Sequence, residues 1–326
     1  MENRFYRDYT GQDILDISEE AYIPIIEGIL YKNDLSLLIG KYKSNKSIFA
    51  MQLACSISSG SPFLGVFEVP EPQVVWYFAT EGKDNDIKDR FLRMSSVIKT
   101  DLNNIVLICS TQLKFNTLSG QKCANEIMMK YHTKLPALII IDSLYSGFKG
   151  TLIKDDQVNE FITTIRHLME FCNDSACLMT HHMTKEQKDN EGRTLPQSDA
   201  NAYGSVFLLG QADTCFTIEK CKKNKDDRIL KCENERSGKT IESLRVKFHE
   251  PEPLYLTLVS NHTEEEKKIL HMLYGYKDGL DAKELRKLTN IKKTQVYVVL
   301  GELLMKGKII KDKTHGGIYT LARGDS

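Results

Sequence analysis

No stretch of the sequence approaches the ~18 uninterrupted apolar residues that a membrane-spanning helix needs, so none is expected. The opening segment MENRFYRDYTGQDILDISEE is polar and acidic and has no apolar core of a secretory signal. A cytoplasmic chain without a membrane partner is the expectation. Excess charge is missing too: 44 Lys and Arg balance 44 Asp and Glu. That excludes a surface that coats nucleic acid all over, but not a local basic patch. The eight cysteines, at 55, 109, 123, 172, 177, 215, 221 and 232, form no C-x-x-C pair, and the closest of them have no histidine at ligand spacing. Buried thiols are expected, neither a disulfide framework nor a zinc site. Internal repeats and low-complexity tracts are absent.

What is present is an ordinary globular composition, 41% hydrophobic and 27% charged, long enough for one large domain and a small one. From residue 35 to about 260, short apolar runs alternate with longer amphipathic stretches. Candidate strands are 35–39, 74–79, 105–108, 138–141, 176–180 and 214–218, and candidate helices are 47–58, 84–98 and 156–172. The strands are β-branched and aromatic with little polar alternation, as when helices cover both faces of a sheet. An α/β fold with a mainly parallel central sheet is predicted. The runs 229–233, 244–248 and 254–258 follow without intervening helices and predict antiparallel strands at one edge. The texture then changes, dividing the chain into predicted domains 1–260 and 261–326. The second reads as three helices (263–274, 281–288, 293–306) and a hairpin (309–311 with 317–321), the layout of a winged helix-turn-helix.

The strongest local signal is LLIGKYKSNKSIFAMQLA, residues 37–54. An apolar strand runs into Gly40, Lys46 and Ser47 follow, and a helix begins. Such a loop points successive backbone N–H groups at phosphate, so Gly40, Lys41, Tyr42, Lys43, Ser44, Asn45, Lys46 and Ser47 are candidates to cradle ATP. Lys46 would reach the β- and γ-phosphates, and the Ser47 hydroxyl would complete a Mg²⁺ shell. Asn45 stands where G-x-x-x-x-G-K-[ST] has its second glycine; asparagine is among the few other residues that tolerate a left-handed backbone. The competing reading, a Lys-rich surface turn, leaves the flanking strand and helix unexplained. Residues 136–148, PALIIIDSLYSGF, carry Asp142 to the end of a buried strand, where an aspartate holds Mg²⁺ or simply caps the next turn. In VVWYFATEG, residues 74–82, Glu81 follows another strand and is a candidate to orient an attacking water. A solvated loop glutamate is the alternative.

These segments resemble the RecA-like ATPases related to the hexameric RepA-type plasmid helicases, over roughly residues 15–260. AYIPIIEGILYKNDLSLLIGKYKSNKS is similar to the family's lead-in and phosphate loop, FATEG to the strand bearing its catalytic glutamate, and IIIDS to its second nucleotide motif. LMTHHMTKE, residues 178–186, resembles the strand-end motif that senses the γ-phosphate, a role that falls on His182 or His181. In YGSVFLLGQADTCFTIE, Gly204 and Ser205 precede a helix as in the family, and the polar stretch 185–201 corresponds to a DNA-facing loop. LKCENERSG, residues 230–238, resembles the family's K-N-R-x-G tail and puts Arg236 at the arginine that reaches a neighbouring subunit's ATP. Asn234 occupies a place where relatives often carry lysine.

The resemblance implies ATP and Mg²⁺ as ligands, a homo-oligomer in the form of a hexameric ring, single-stranded DNA in the core, and a replicative helicase of a plasmid, phage or integrated element. Asn45 and Asn234 keep a second reading open, a nucleotide-gated DNA-binding regulator or adaptor with little hydrolysis. Residues 261–326 hold 13 Lys and Arg against 9 Asp and Glu. Lys292, Lys293 and Gln295 open the candidate recognition helix and Lys313 lies on the wing, which suits contacts to duplex DNA. Protein docking is the alternative for this domain.

Overall fold

A computed structural model describes residues 10–12, 23–26, 28–65, 67, 69–98, 100–183, 206–221, 224–235, 243–249, 254–258, 264–291, 296, 299–300, 303–304, 306–312 and 317–322. The chain forms two compact units, Met1–Val259 and Ser260–Ser326.

The first unit opens with a short hairpin, β1 (Pro24–Ile26) and β2 (Leu30–Tyr31). It continues through β3 (Leu35–Gly40), α1 (Lys46–Ser59), β4 (Val75–Ala79), α2 (Asp84–Ile98), β5 (Ile105–Cys109) and α3 (Leu118–Lys130). Then come β6 (Leu138–Asp142), α4 (Leu144–Gly147), α5 (Asp155–Phe171), β7 (Ala176–His182), α6 (Val206–Gln211) and β8 (Thr214–Lys220). β9 (Asp227–Glu235), β10 (Leu244–His249) and β11 (Tyr255–Leu258) complete it. Among the described residues one nine-stranded sheet runs β11-β10-β9-β8-β3-β7-β6-β4-β5. It is parallel from β8 to β5 and antiparallel over β9, β10 and β11.

The central strands lack polar alternation because each serves two cores. In β4 and β6, Val75, Tyr77, Leu138 and Ile140 pack with the helices α1 and α2, while Trp76, Phe78, Ile139 and Ile141 pack with α3 and α5. Successive side chains point to opposite faces, and both faces are covered. α5 shows the matching helical period. Val158, Phe161, Ile162, Ile165, Leu168 and Met169 are buried along one stripe, each contributing about 1.5–3 kcal/mol for the larger side chains. Asp155 and Asp156 in its first turn complement the helix dipole.

The sequence pattern did not announce α3, whose buried face is only Gly120, Ala124 and Met128. Its start rests on Thr117, whose hydroxyl accepts from the Gly120 amide. Gly120 is required by close approach, since a Cβ there would lie 1.8 Å from the Lys114 carbonyl oxygen.

Strand register decides where function can sit. Gly40 lies beside His182 across β3 and β7, and Ala79 beside Asp142 across β4 and β6. The C-terminal ends of these four strands therefore share one edge, where open α/β sheets bind ligands. α1 is held to the far side of the sheet as well. Gln52 is buried, donating through Nε2 to the Leu256 carbonyl at 2.8 Å and accepting from the Leu256 amide at 2.6 Å.

In the second unit α7 (Glu264–Gly275) is followed by α8 (Ala282–Thr289), which begins with a full capping box of Asp281 and Glu284. Val296, Val299, Leu300, Leu303 and Leu304 are helical, and β12 (Ile309–Asp312) pairs antiparallel with β13 (Ile318–Leu321). Ile269, Leu285, Val299, Leu303 and Ile309 are in its core. Among the described residues no helix is long and apolar enough to cross a membrane.

Replacing Gln52 by Leu strands two buried backbone groups of β11, which costs about 2 kcal/mol. Urea denaturation is expected to show a lower midpoint with an unchanged slope; an unaltered midpoint would mean that this tie contributes nothing.

Candidate functional site

The loop between β3 and α1 owes its shape to three residues. Gly40 packs so tightly that a Cβ would lie 2.5 Å from both the Ile218 carbonyl oxygen and Ser44 Oγ. Lys43 and Asn45 adopt left-handed backbones, φ 59° and 72°. Asn45 is the N-cap of α1, yet its side chain makes no capping hydrogen bond, and the first turn holds no acidic residue. The leading N–H groups of the helix, which have no acceptor within it, are thus left for an anion.

Lys46 is buried, and its ammonium donates to the carbonyls of Gly40 (2.9 Å) and Lys41 (3.2 Å) and to His182 Nδ1 (3.2 Å). Burial lowers its pKa to about 8, against the opposing pull of Asp142 and Glu81. His182 is pushed below its ordinary value, first by burial and then by the Lys46 charge. It therefore accepts from Lys46 as a neutral imidazole. Its neighbour His181 lies buried in β7 opposite Ile39.

Asp142 ends β6 and accepts three hydroxyls. Ser47 Oγ reaches Oδ1 at 3.2 Å, Thr180 Oγ1 reaches the same oxygen at 2.5 Å, and Tyr77 OH reaches Oδ2 at 2.6 Å. Burial raises the Tyr77 pKa far above the phenol range, with Asp142 adding to it, so the phenol stays a donor. Past Asp142 a cis peptide leads to Ser143. Ser143 and Ser146 hydroxyls both donate to Glu81 Oε2, at 3.1 and 3.0 Å. Glu81 is thereby aimed at the same opening while remaining exposed.

A cavity of about 1000 Å³ joins these groups. Lys43–Ser47, Glu81, Asp142 and His182 line it, together with Lys220 at the end of β8 and Arg228, Lys247, Phe248, His249 and Leu254 from the antiparallel edge. Arg90 and Arg93 of α2 also face it. The structure thus brings together Lys46, Ser47, Asp142, Glu81 and His182, with Tyr42 exposed at the rim. Arg236, Lys292, Lys293, Gln295, Lys313, Gly204, Ser205 and the stretch 185–201 lie outside the described residues. The sequence reading missed Tyr77 and Thr180, the partners of Asp142; both sit in apolar strands where a lone hydroxyl on the α1 side was the available signal. It also missed Ser143 and Ser146, next to the aspartate it singled out.

Residues 14–188 match the model of the AAA_25 family, described as an AAA domain. The chain belongs to that family. Its membership carries a nucleotide-binding ATPase domain, and the match ends just past β7 of this AAA domain, so it spans the loop, Glu81, Asp142 and His182. Among solved structures the chain is similar to a KaiC-like protein from Pyrococcus horikoshii OT3 (13% identity, 72% of this chain and 93% of that chain, TM-score 0.48). It is also similar to the ATPase domain of G40P (13%, 67% and 82%, TM-score 0.49) and to the RadB recombinase (13%, 70% and 92%, TM-score 0.48). No curated protein matches the sequence.

The donor set of this AAA domain suits a magnesium nucleotide. Ser47 and Asp142 offer hard oxygen ligands side by side. Magnesium typically takes one or two protein oxygens and completes its octahedron with phosphate and water.

A phosphate bound beside Lys46 would stabilise its charged form and raise its pKa. Nucleotide binding is therefore expected to take up about half a proton at pH 8, where the free amine is half ionised. Affinity accordingly falls as pH climbs through that value. Calorimetry in buffers of different ionisation enthalpy measures the uptake, and a binding enthalpy independent of buffer contradicts the shifted lysine.

Proposed function

We propose that the protein hydrolyses ATP with Mg²⁺ and works as a RecA-like oligomeric motor on DNA, of the kind that serves as a RepA-like replicative helicase. The observation that carries the catalytic half is the convergence of Lys46, Ser47, Asp142 and Glu81 on one cavity at the sheet's C-terminal edge. In this reading the amides of Lys41–Lys46 hold the phosphates and Lys46 neutralises them. Ser47 and Asp142 hold Mg²⁺, which when bound offsets charge on the phosphate oxygens. Glu81, steadied by Ser143 and Ser146, orients the attacking water. His182 contacts Lys46 and is the residue suited to report the γ-phosphate to the segment that follows β7.

The motor half rests on the resemblance and on charge. Arg236 would act in trans, completing a neighbour's site in a ring of six subunits. Single-stranded DNA would lie against residues 185–201. Residues 261–326 would act as a winged helix that meets duplex DNA through Lys292, Lys293, Gln295 and Lys313. The layout of α7, α8 and the β12–β13 hairpin supports this reading, as does the basic balance of that segment. Asn45 in the loop favours the second reading, a nucleotide-gated DNA-binding regulator with little turnover.

ATPase rate against protein concentration, with and without single-stranded DNA, separates the two. The motor predicts a rate that DNA stimulates, that rises cooperatively with concentration and that collapses in Arg236→Ala. Tight ATP binding with negligible turnover favours the regulator instead. Glu81→Gln is expected to cut turnover by about 10²–10⁴-fold while ATP still binds. Turnover within a few-fold of wild type would remove Glu81 from the chemistry.

A further inference from the structure

Asparagine at an N-cap usually spends its side-chain oxygen on the amides two or three residues into the helix. In a phosphate loop that habit is harmful, because those are the amides that an anion must reach. Asn45 occupies this position with a left-handed backbone and makes no capping bond. Its Oδ1 is instead held by Arg228 of β9, which donates from Nε at 2.8 Å and from Nη2 at 2.5 Å.

Arg228 is itself fixed from behind. Its Nη1 donates to the Lys225 and Asp227 carbonyls at 2.7 and 2.9 Å, and its guanidinium lies over the Phe248 ring at 5.6 Å. Asp227 is locked in turn by Arg245, through Nε at 2.7 Å and Nη2 at 2.5 Å. The fork is thus preorganised before the loop meets it.

We infer that Arg228 is a positioning residue for the phosphate loop: it pins Asn45 in the left-handed conformation and keeps its carboxamide off the helix amides. An asparagine thereby serves where a glycine would need no help. This rests on the ATP-binding reading above, and it makes the antiparallel edge of the sheet part of the nucleotide site.

The test is a double-mutant cycle on ATP affinity in the full chain, using Arg228→Lys and Asn45→Gly. Lysine keeps the charge and most of the volume, so folding is retained, but it loses the two-pronged grip. Arg228→Lys is expected to weaken ATP binding about tenfold in the asparagine background, the loss of one charge-assisted hydrogen bond. In the Asn45→Gly background the same change is expected to cost less than about twofold, because no carboxamide remains to be held. Equal losses in both backgrounds would mean that Arg228 acts through the fold or directly on the nucleotide, and would overturn the inference alone. No loss in either background overturns it too. A wild-type chain that binds no ATP overturns this inference together with the reading it rests on.

Discussion

Asp142 is the constraint from which the site is built. A buried strand of four apolar residues delivers its carboxylate to the sheet's edge, and hydroxyls from α1, β4 and β7 converge on it. A buried carboxylate without such donors would be costly. With them it becomes the point at which α1 and two neighbouring strands are referenced to one another. Ser47 cannot shift without losing Asp142, and Lys46, one residue before it, is drawn into position with it. Ser143, next to Asp142, donates to Glu81, so the candidate metal and water groups are tied together across β4 and β6.

The remaining structure sets the loop against this centre from the other side. Gln52 fastens α1 to β11, and Arg228 fastens the loop's Asn45 to β9. The antiparallel edge is therefore more than a border of the sheet. It completes the cavity with Phe248, His249 and Leu254. Burial lowers the pKa of Lys46 to about 8, while Asp142 and Glu81 favour its charge.

Much of this was legible in the chain, for identifiable reasons. Strands covered on both faces read as unbroken apolar runs, so β3, β4, β6 and β7 announced themselves, and with them the α/β class. The order strand, loop, Lys46–Ser47, helix marked the loop, and Asp142 stood out as a charge ending an apolar run. What escaped was information held across the sheet. Tyr77 and Thr180 look like ordinary strand residues until register sets them beside Asp142. Arg228 lies 183 residues from Asn45, and nothing local links them. α3 escaped because its buried face is made of Gly120, Ala124 and Met128, too small and sparse to form an apolar stripe.

The most direct test of a magnesium nucleotide centred on Asp142 is the affinity of Mn²⁺–ATP, read by electron paramagnetic resonance, in wild type and Asp142→Asn. The variant keeps the shape of the side chain and removes its charge. Mn²⁺–ATP is predicted to bind the variant about 10–100-fold more weakly, while ATP in excess chelator binds both alike. Equal Mn²⁺–ATP affinity in a folded Asp142→Asn chain would contradict the account at its centre.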